Sequence, residues 1–272
     1  MGIKLGICNF ITPGTGVFAA KLVKEAGLDG MSLDYGRRKY GYPLSQPKVL
    51  EGYKEARDYY GIEYANIGFS AGDWDPIWVD KGHPYFDEIE EKSLDAVDVA
   101  EYFGLPLVYF ATFHESLPDT YEKRKSLAKR FQRICDKAAS KGIEIAWENP
   151  LEVEEQMEVL HLVDRDNFKF FYDGNNFVYF KGYNQVEILD KLYPYMTNQL
   201  HVKDGTEGKS SNAILGTGVS DFFGIAKYLK EHNYNGWIIL ENMYEYEDMR
   251  HLNPDYFELM KQDVKVLKDT FF

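Results

Sequence analysis

Four side chains of the kind that hold metal ions each stand at the end of a short strand-like run. Ile143–Trp147 leads to Glu148, Phe168–Tyr172 to Asp173, Asn198–Leu200 to His201, and Trp237–Leu240 to Glu241. One such residue alone is more often structural. A carboxylate there can cap the next helix, and Asp173 before Gly174 can open a turn. Four in succession, about one strand-plus-helix unit apart, point instead to one site built by converging strands. Two glutamates, an aspartate and an imidazole suit one divalent ion of the Mn²⁺, Mg²⁺, Co²⁺ or Zn²⁺ kind.

The elements that must position these residues show a recurring junction in which a helical stretch ends, a glycine follows, and a short apolar run begins. The junctions are Ala19–Ala26 with Gly27, Tyr53–Tyr60 with Gly61, Leu94–Phe103 with Gly104, Leu127–Lys141 with Gly142, and Ile225–Asn233 with Gly236. Glycine closes a helix by taking the left-handed conformation. The runs that follow are short and apolar, as strands buried on both faces are. Eight strands are expected, near residues 3–8, 29–33, 62–68, 106–111, 143–148, 168–173, 198–203 and 236–241. Strands alternating with helices give a parallel sheet with right-handed crossovers. Eight units in 272 residues match a single (β/α)₈ TIM barrel over residues 1–272. A doubly wound sheet is the competitor, but the turn after the first run, Asn9–Gly16, lacks a full G-x-G-x-x-G.

In a barrel, the carboxyl ends of strands share one mouth. Glu148, Asp173, His201 and Glu241 then come from strands five to eight. The longest irregular stretches, Gly68–Pro84 and Asp204–Gly218, follow strands on that same face. The first carries Trp74, Trp78 and His83 and reads either as a packed loop or as a lid with aromatic walls.

The net charge of −13 repels phosphate backbones, so nucleic acid is not an expected partner. The basic run Lys123–Arg133 reads as one helix face. Two cysteines far apart, Cys8 and Cys135, make neither a disulfide framework nor a metal pair, and a reducing cytoplasm fits them. Met1–Phe10 reads as a first strand and not as a signal peptide. No apolar run reaches the roughly 18 residues that suggest a membrane span.

The strings Trp147-Glu148-Asn149-Pro150, Phe171-Tyr172-Asp173, His201-Val202-Lys203-Asp204, Gly216-Thr217-Gly218-Val219-Ser220-Asp221 and Leu240-Glu241-Asn242 resemble the xylose isomerase-like barrel superfamily. The likeness is to its sugar phosphate isomerase/epimerase branch, which includes ketose 3-epimerases, hydroxypyruvate isomerases, and inosose isomerases and dehydratases. It runs through nearly the whole chain in the expected order. It implies that Glu148, Asp173, His201 and Glu241 hold one divalent metal, often Mn²⁺, and that Glu148 and Glu241 double as acid and base. The chain departs from the ketose 3-epimerases at two places. Asn176 stands where they have a substrate-binding histidine, and no arginine follows the metal histidine near Glu207.

Moving a proton between carbons beside a carbonyl requires an enediolate, which a divalent ion stabilises. Carboxylates on opposite sides of the carbon can remove the proton from one face and return it to the other. Other residues can touch a substrate: Asn176 through hydrogen bonds, Lys203 on an oxygen, and His114 and Trp74 in the mouth. Their bland readings are an ion pair of Lys203 with Asp204 and a packed or surface His114; Asp34 after the second strand is similar. Ser220 or Asp221 caps the next helix, whose N-terminus could hold an anion, though no basic cluster lies near. His161, His232 and His251 read as surface residues.

The expected function is a metal-dependent isomerase or epimerase of a small sugar or polyol-derived ketone. Its setting is cytoplasmic, with no nucleic-acid or membrane partner, and a homo-oligomer is compatible with it. The alternatives are a dehydratase of the inosose type and a non-catalytic sugar-binding barrel. An endonuclease of the same superfamily, with three zinc ions, would need more histidines at strand ends than this chain has.

Overall fold

The computed structural model describes residues 2–272, and eight parallel strands close into a barrel in sequence order. They are β1 Lys4–Cys8, β2 Gly30–Asp34, β3 Glu63–Phe69, β4 Leu107–Ala111, β5 Glu144–Glu148, β6 Phe168–Asp173, β7 Met196–Val202 and β8 Trp237–Leu240. The helices are α1 Ala19–Ala26, α2 Pro47–Tyr60, α3 Phe86–Phe103, α4 Tyr121–Ala139, α5 Val153–Val163, α6 Gly174–Lys181, α7 Gln185–Leu192, α8 Phe222–Glu231, α9 Glu247–Leu252 and α10 Tyr256–Phe271. All eight expected strands are present. Closure comes from β1 pairing with β8, with Lys4 opposite Trp237 and Ile7 opposite Leu240. No helix is long and apolar enough to cross a membrane among the described residues.

Four of the five expected glycine junctions hold, with Gly27, Gly61, Gly104 and Gly142 at φ values of 74°, 62°, 69° and 67°. The fifth differs. Asn233 takes the left-handed position after α8, at φ 53°. Gly236 is needed for a different reason: a Cβ there would sit 1.9 Å from the Asn198 carbonyl oxygen.

Successive strand residues face opposite sides, and the two faces are filled differently. Outward side chains such as Trp147 and Phe168 pack on Phe131 of α4. Inside, Ser32 donates to Asn66 (2.5 Å), and Asn66 donates to Gln199 (2.7 Å). Above this buried polar layer the Tyr109 and Phe171 rings stack at 4.5 Å. Gly68 makes room for them, since a Cβ there would lie 2.5 Å from the Tyr109 hydroxyl.

The basic run on α4 is not one solvated face. Arg124 and Arg130 turn inward, where Arg124 meets Glu155 (2.8 Å) and Glu158 (2.5 Å) and Arg130 meets Glu90 (2.8 Å). At 1% exposure, Arg130 also donates to the Val79 carbonyl oxygen. It thereby ties the loop after β3 to α4.

Candidate metal and active site

Strand register brings the four metal-type side chains together. Asp173 lies directly opposite His201 across β6 and β7. Glu148 ends β5, and Glu241 follows β8 with its N–H bonded to the Val202 carbonyl oxygen. Each of the four offers one ligand atom, and these atoms all lie within 4.8 Å of one another. Glu148, Asp173 and His201 are buried, and Glu241 lines the mouth.

His201 is oriented from below and from its sides. Its Nε2 lies 3.3 Å from the Cys8 sulfur, and Tyr109 and Phe171 hold the ring edge-on at 5.2 and 4.6 Å. Its Nδ1 then points at Glu148 (3.3 Å) and Glu241 (3.6 Å). Burial pushes the Cys8 thiol up to about 11, so it stays neutral. Sequence reasoning missed Cys8 as a partner of the site, because it sits on β1 and meets β7 only through closure.

Asn176 donates to Glu148 Oε1 at 2.8 Å, and the Asn175 N–H donates to Asp173 Oδ1 at 2.9 Å. Asn176 is therefore at the site, holding a glutamate, and also lines the mouth.

Lys203 does not pair with Asp204. Its ammonium lies 2.9 Å from Asp173 Oδ2 and 2.5 Å from Glu241 Oε2. Asp204 instead accepts four backbone N–H groups, from Gly205, Gly216, Gly218 and Ser220. The cause is pleating: Lys203 lies two residues beyond His201 and shares its inward side, whereas Asp204 points away. Asp221 caps α8 by accepting from the Gly224 N–H.

The buried charges shift one another's ionisation. Burial raises Asp173 to about 6 against the pull of Lys203. Burial also opposes ionisation of Glu241, but Lys203 and His201 outweigh it and hold that carboxyl below its usual range. Burial works against the cationic forms of His201 and Lys203, yet the surrounding acidic groups keep both well above their ordinary values.

The donor set fits a divalent ion. His201 Nδ1 and Asp173 Oδ2 are buried without a hydrogen-bond partner; Asp173 Oδ2 meets Lys203 as an ion pair only. Buried polar atoms without hydrogen bonds are costly, and both residues belong to the group whose ligand atoms lie within 4.8 Å of one another. Oxygen donors with one nitrogen suit Mn²⁺, Mg²⁺, Co²⁺ or Zn²⁺.

Above the cluster opens a cavity of about 840 Å³. Trp74 and His114 line it and stack on each other at 5.0 Å, and Phe180 meets His114 at 5.8 Å. Trp78 is half-buried under Lys123, and His83 is an exposed residue beside Tyr85, so only Trp74 of that trio reaches the mouth. His161, His232 and His251 are exposed, as expected. Asp34 and Asp73 also line the mouth; Asp73 was not singled out by sequence reasoning, since nothing local marks it.

The chain is 23% identical over 219 residues to the 2-epi-5-epi-valiolone 7-phosphate 2-epimerase of Actinoplanes sp., covering 80% of this chain and 78% of that protein. It is 26% identical over 158 residues to an inosose dehydratase of Histophilus somni, covering 48% and 51%. The solved structure of the IOLI protein with a bound zinc atom superposes with a TM-score of 0.76 over 99% of both chains, at 16% identity. That likeness shows the fold. A family model matches residues 20–270, and the chain belongs to the xylose isomerase-like TIM barrel family.

Proposed function

We propose that residues 1–272 act as one unit, a divalent-metal-dependent isomerase or epimerase of a small sugar or polyol-derived ketone. The observation that supports this most is the meeting of Glu148, Asp173, His201 and Glu241 within 4.8 Å at the floor of the mouth. These four residues are the metal ligands in this reading. Mn²⁺ is the preferred ion; the IOLI protein holds zinc, so Zn²⁺ is the first comparison. Once bound, the ion supplies positive charge beside the substrate carbonyl and the neighbouring hydroxyl.

The chain's own residues do the rest. Glu148 and Glu241 are the acid–base pair, one taking the proton beside the carbonyl and the other returning it. Asn176 fixes the Glu148 carboxylate through its 2.8 Å bond. Lys203, at 2.5 Å from Glu241 Oε2, keeps that carboxylate ionised and offers N–H groups to a substrate oxygen. Trp74 and His114 form an aromatic wall on one side of the mouth.

A dehydratase reading uses the same first step and then expels hydroxide. The partial match to an inosose dehydratase keeps it as the second reading. The test is deuterium uptake from D₂O across ketoses, aldoses and inososes with each metal. Exchange at a carbon beside the carbonyl, without loss of water, is expected. A water-loss product from every exchanging compound would favour the dehydratase, and no exchange with any compound and metal would sink both.

A further inference from the structure

The substrate's remote end is constrained by a filled anion cradle and by the charge of the mouth. Barrel enzymes that take phosphorylated substrates often hold the phosphate in the loops after strands seven and eight, at a helix N-terminus. The loop after β7 has the needed backbone donors, but they are already used. Asp204, fully buried, accepts the N–H groups of Gly216 (2.9 Å) and Gly218 (3.0 Å) through Oδ2. Through Oδ1 it accepts those of Ser220 (2.9 Å) and Gly205 (2.8 Å). The loop is shaped around this carboxylate: a Cβ on Gly218 would lie 2.4 Å from Asp204 Oδ1. A phosphate would have to displace a buried anion with four hydrogen bonds.

The remaining lining is acidic. A divalent ion and Lys203 together offset Glu148, Asp173 and Glu241. Beyond them Asp34, Asp73, Glu245, Glu247 and Asp248 face the cavity with only Arg37 and Lys209. Lys209 is engaged by Asp248 at 2.7 Å.

Other features suit a neutral hydroxylated group. Asp73 Oδ1 is buried with no hydrogen-bond partner, and a substrate hydroxyl can satisfy it. Trp74 is half-exposed beside it, stacks on His114 at 5.0 Å and has the Arg37 guanidinium over its ring at 5.3 Å, so its remaining exposed half is the aromatic surface left for a sugar. His114 is held at φ 48°, a left-handed backbone conformation of the kind that gathers at functional sites. We infer that the end of the substrate remote from the reacting carbon is uncharged and hydroxylated, held by Asp73 against the Trp74–His114 pair, and is not a phosphate ester. This rests on the sugar reading above. It separates the chain from the Actinoplanes relative, whose name specifies a phosphate.

Sugar alcohols, which lack a carbonyl and cannot react, test this by binding alone. Metal-loaded protein is titrated calorimetrically with sorbitol, ribitol and inositol, each beside its own monophosphate. The neutral member of at least one pair is expected to bind at least about ten-fold more tightly than its phosphate, because like charges in a cleft are costly. That preference should shrink in Asp73→Ala, and also in Asp73→Asn, which preserves the side chain's size, with metal content unchanged in both. A phosphorylated member binding as tightly as its neutral partner in every pair overturns the inference. So does failure of every neutral member to bind, or an unchanged preference in both variants. Neutral binding without any deuterium exchange in ketoses would refute the isomerase reading and leave this one standing.

Discussion

Lys203 occupies the centre of the acidic cluster, and replacing it with methionine separates its electrostatic role from the metal's. Its ammonium is 8% exposed and lies within 2.9 Å of Asp173 and 2.5 Å of Glu241. In metal-free protein, Lys203→Met leaves Glu148, Asp173 and Glu241 facing each other with only His201 as a cation. Removing one partner of a buried pair costs roughly 3–5 kcal/mol. At about 2–4 °C per kcal/mol for a protein near this size, the metal-free melting temperature falls by roughly 6–20 °C. A divalent ion supplies the missing charge. Because the ion stabilises wild type as well, the gap narrows by the amount the variant binds it more tightly, about 1.4 kcal/mol for each ten-fold in affinity. The assay is thermal and urea unfolding of wild type and variant, after chelation and after metal addition. The variant should lose far more stability without metal than with it. Equal losses in both states, or a metal-free variant as stable as wild type, would refute the argument that Lys203 stands in for a cation.

The glutamates give a kinetic prediction: Glu148→Gln and Glu241→Gln keep the size and one oxygen donor but cannot act as bases, so each should lower the deuterium-exchange rate at least ~10²-fold. Near wild-type exchange in both metal-loaded variants would reduce the glutamates to ligands. Asp173→Asn should act through metal affinity and be partly rescued by excess metal, which a metal titration of activity reads directly. Cys8→Ala removes the Cys8 sulfur from His201 Nε2, so metal affinity by competition with a chelating dye should drop about 10–100-fold, while an unchanged affinity would show the ring to be held by Tyr109 and Phe171. Away from the site, burial opposes the Glu90 carboxylate, but Arg133 and Arg130 outweigh it and hold its pKa below the usual range. Its stabilising contribution is therefore complete above an unfolded value of about 4.3 and is lost as pH falls through the lower folded value. Glu90→Gln should destabilise the fold at neutral pH by up to about 3–5 kcal/mol, since Arg130 remains buried. It should also flatten the acid side of the stability profile; an acid limb identical to wild type would contradict this.

The sequence alone determined the barrel and the order of its candidate ligands. Both are written in short-range patterns: apolar runs of strand length, helix stops such as Gly27 and Gly104, and metal-type residues at the ends of strands five to eight. A closed parallel barrel converts that linear order into a ring, so four strand-end positions sufficed to foresee one cluster. Even the inward turn of Lys203 follows from the two-residue period that it shares with His201, although the ion pair with its neighbour Asp204 looked equally natural in the chain. Only the tertiary structure decided which distant residues support and surround the cluster. Cys8 meets His201 across 193 positions, because β1 closes against β8. Asp204 fills the Gly216–Ser220 cradle because the loop folds back over it. Asp73 joins the mouth with no motif around it. Such contacts depend on where a side chain ends after closure and loop packing, a long-range outcome that local propensity and periodicity do not encode.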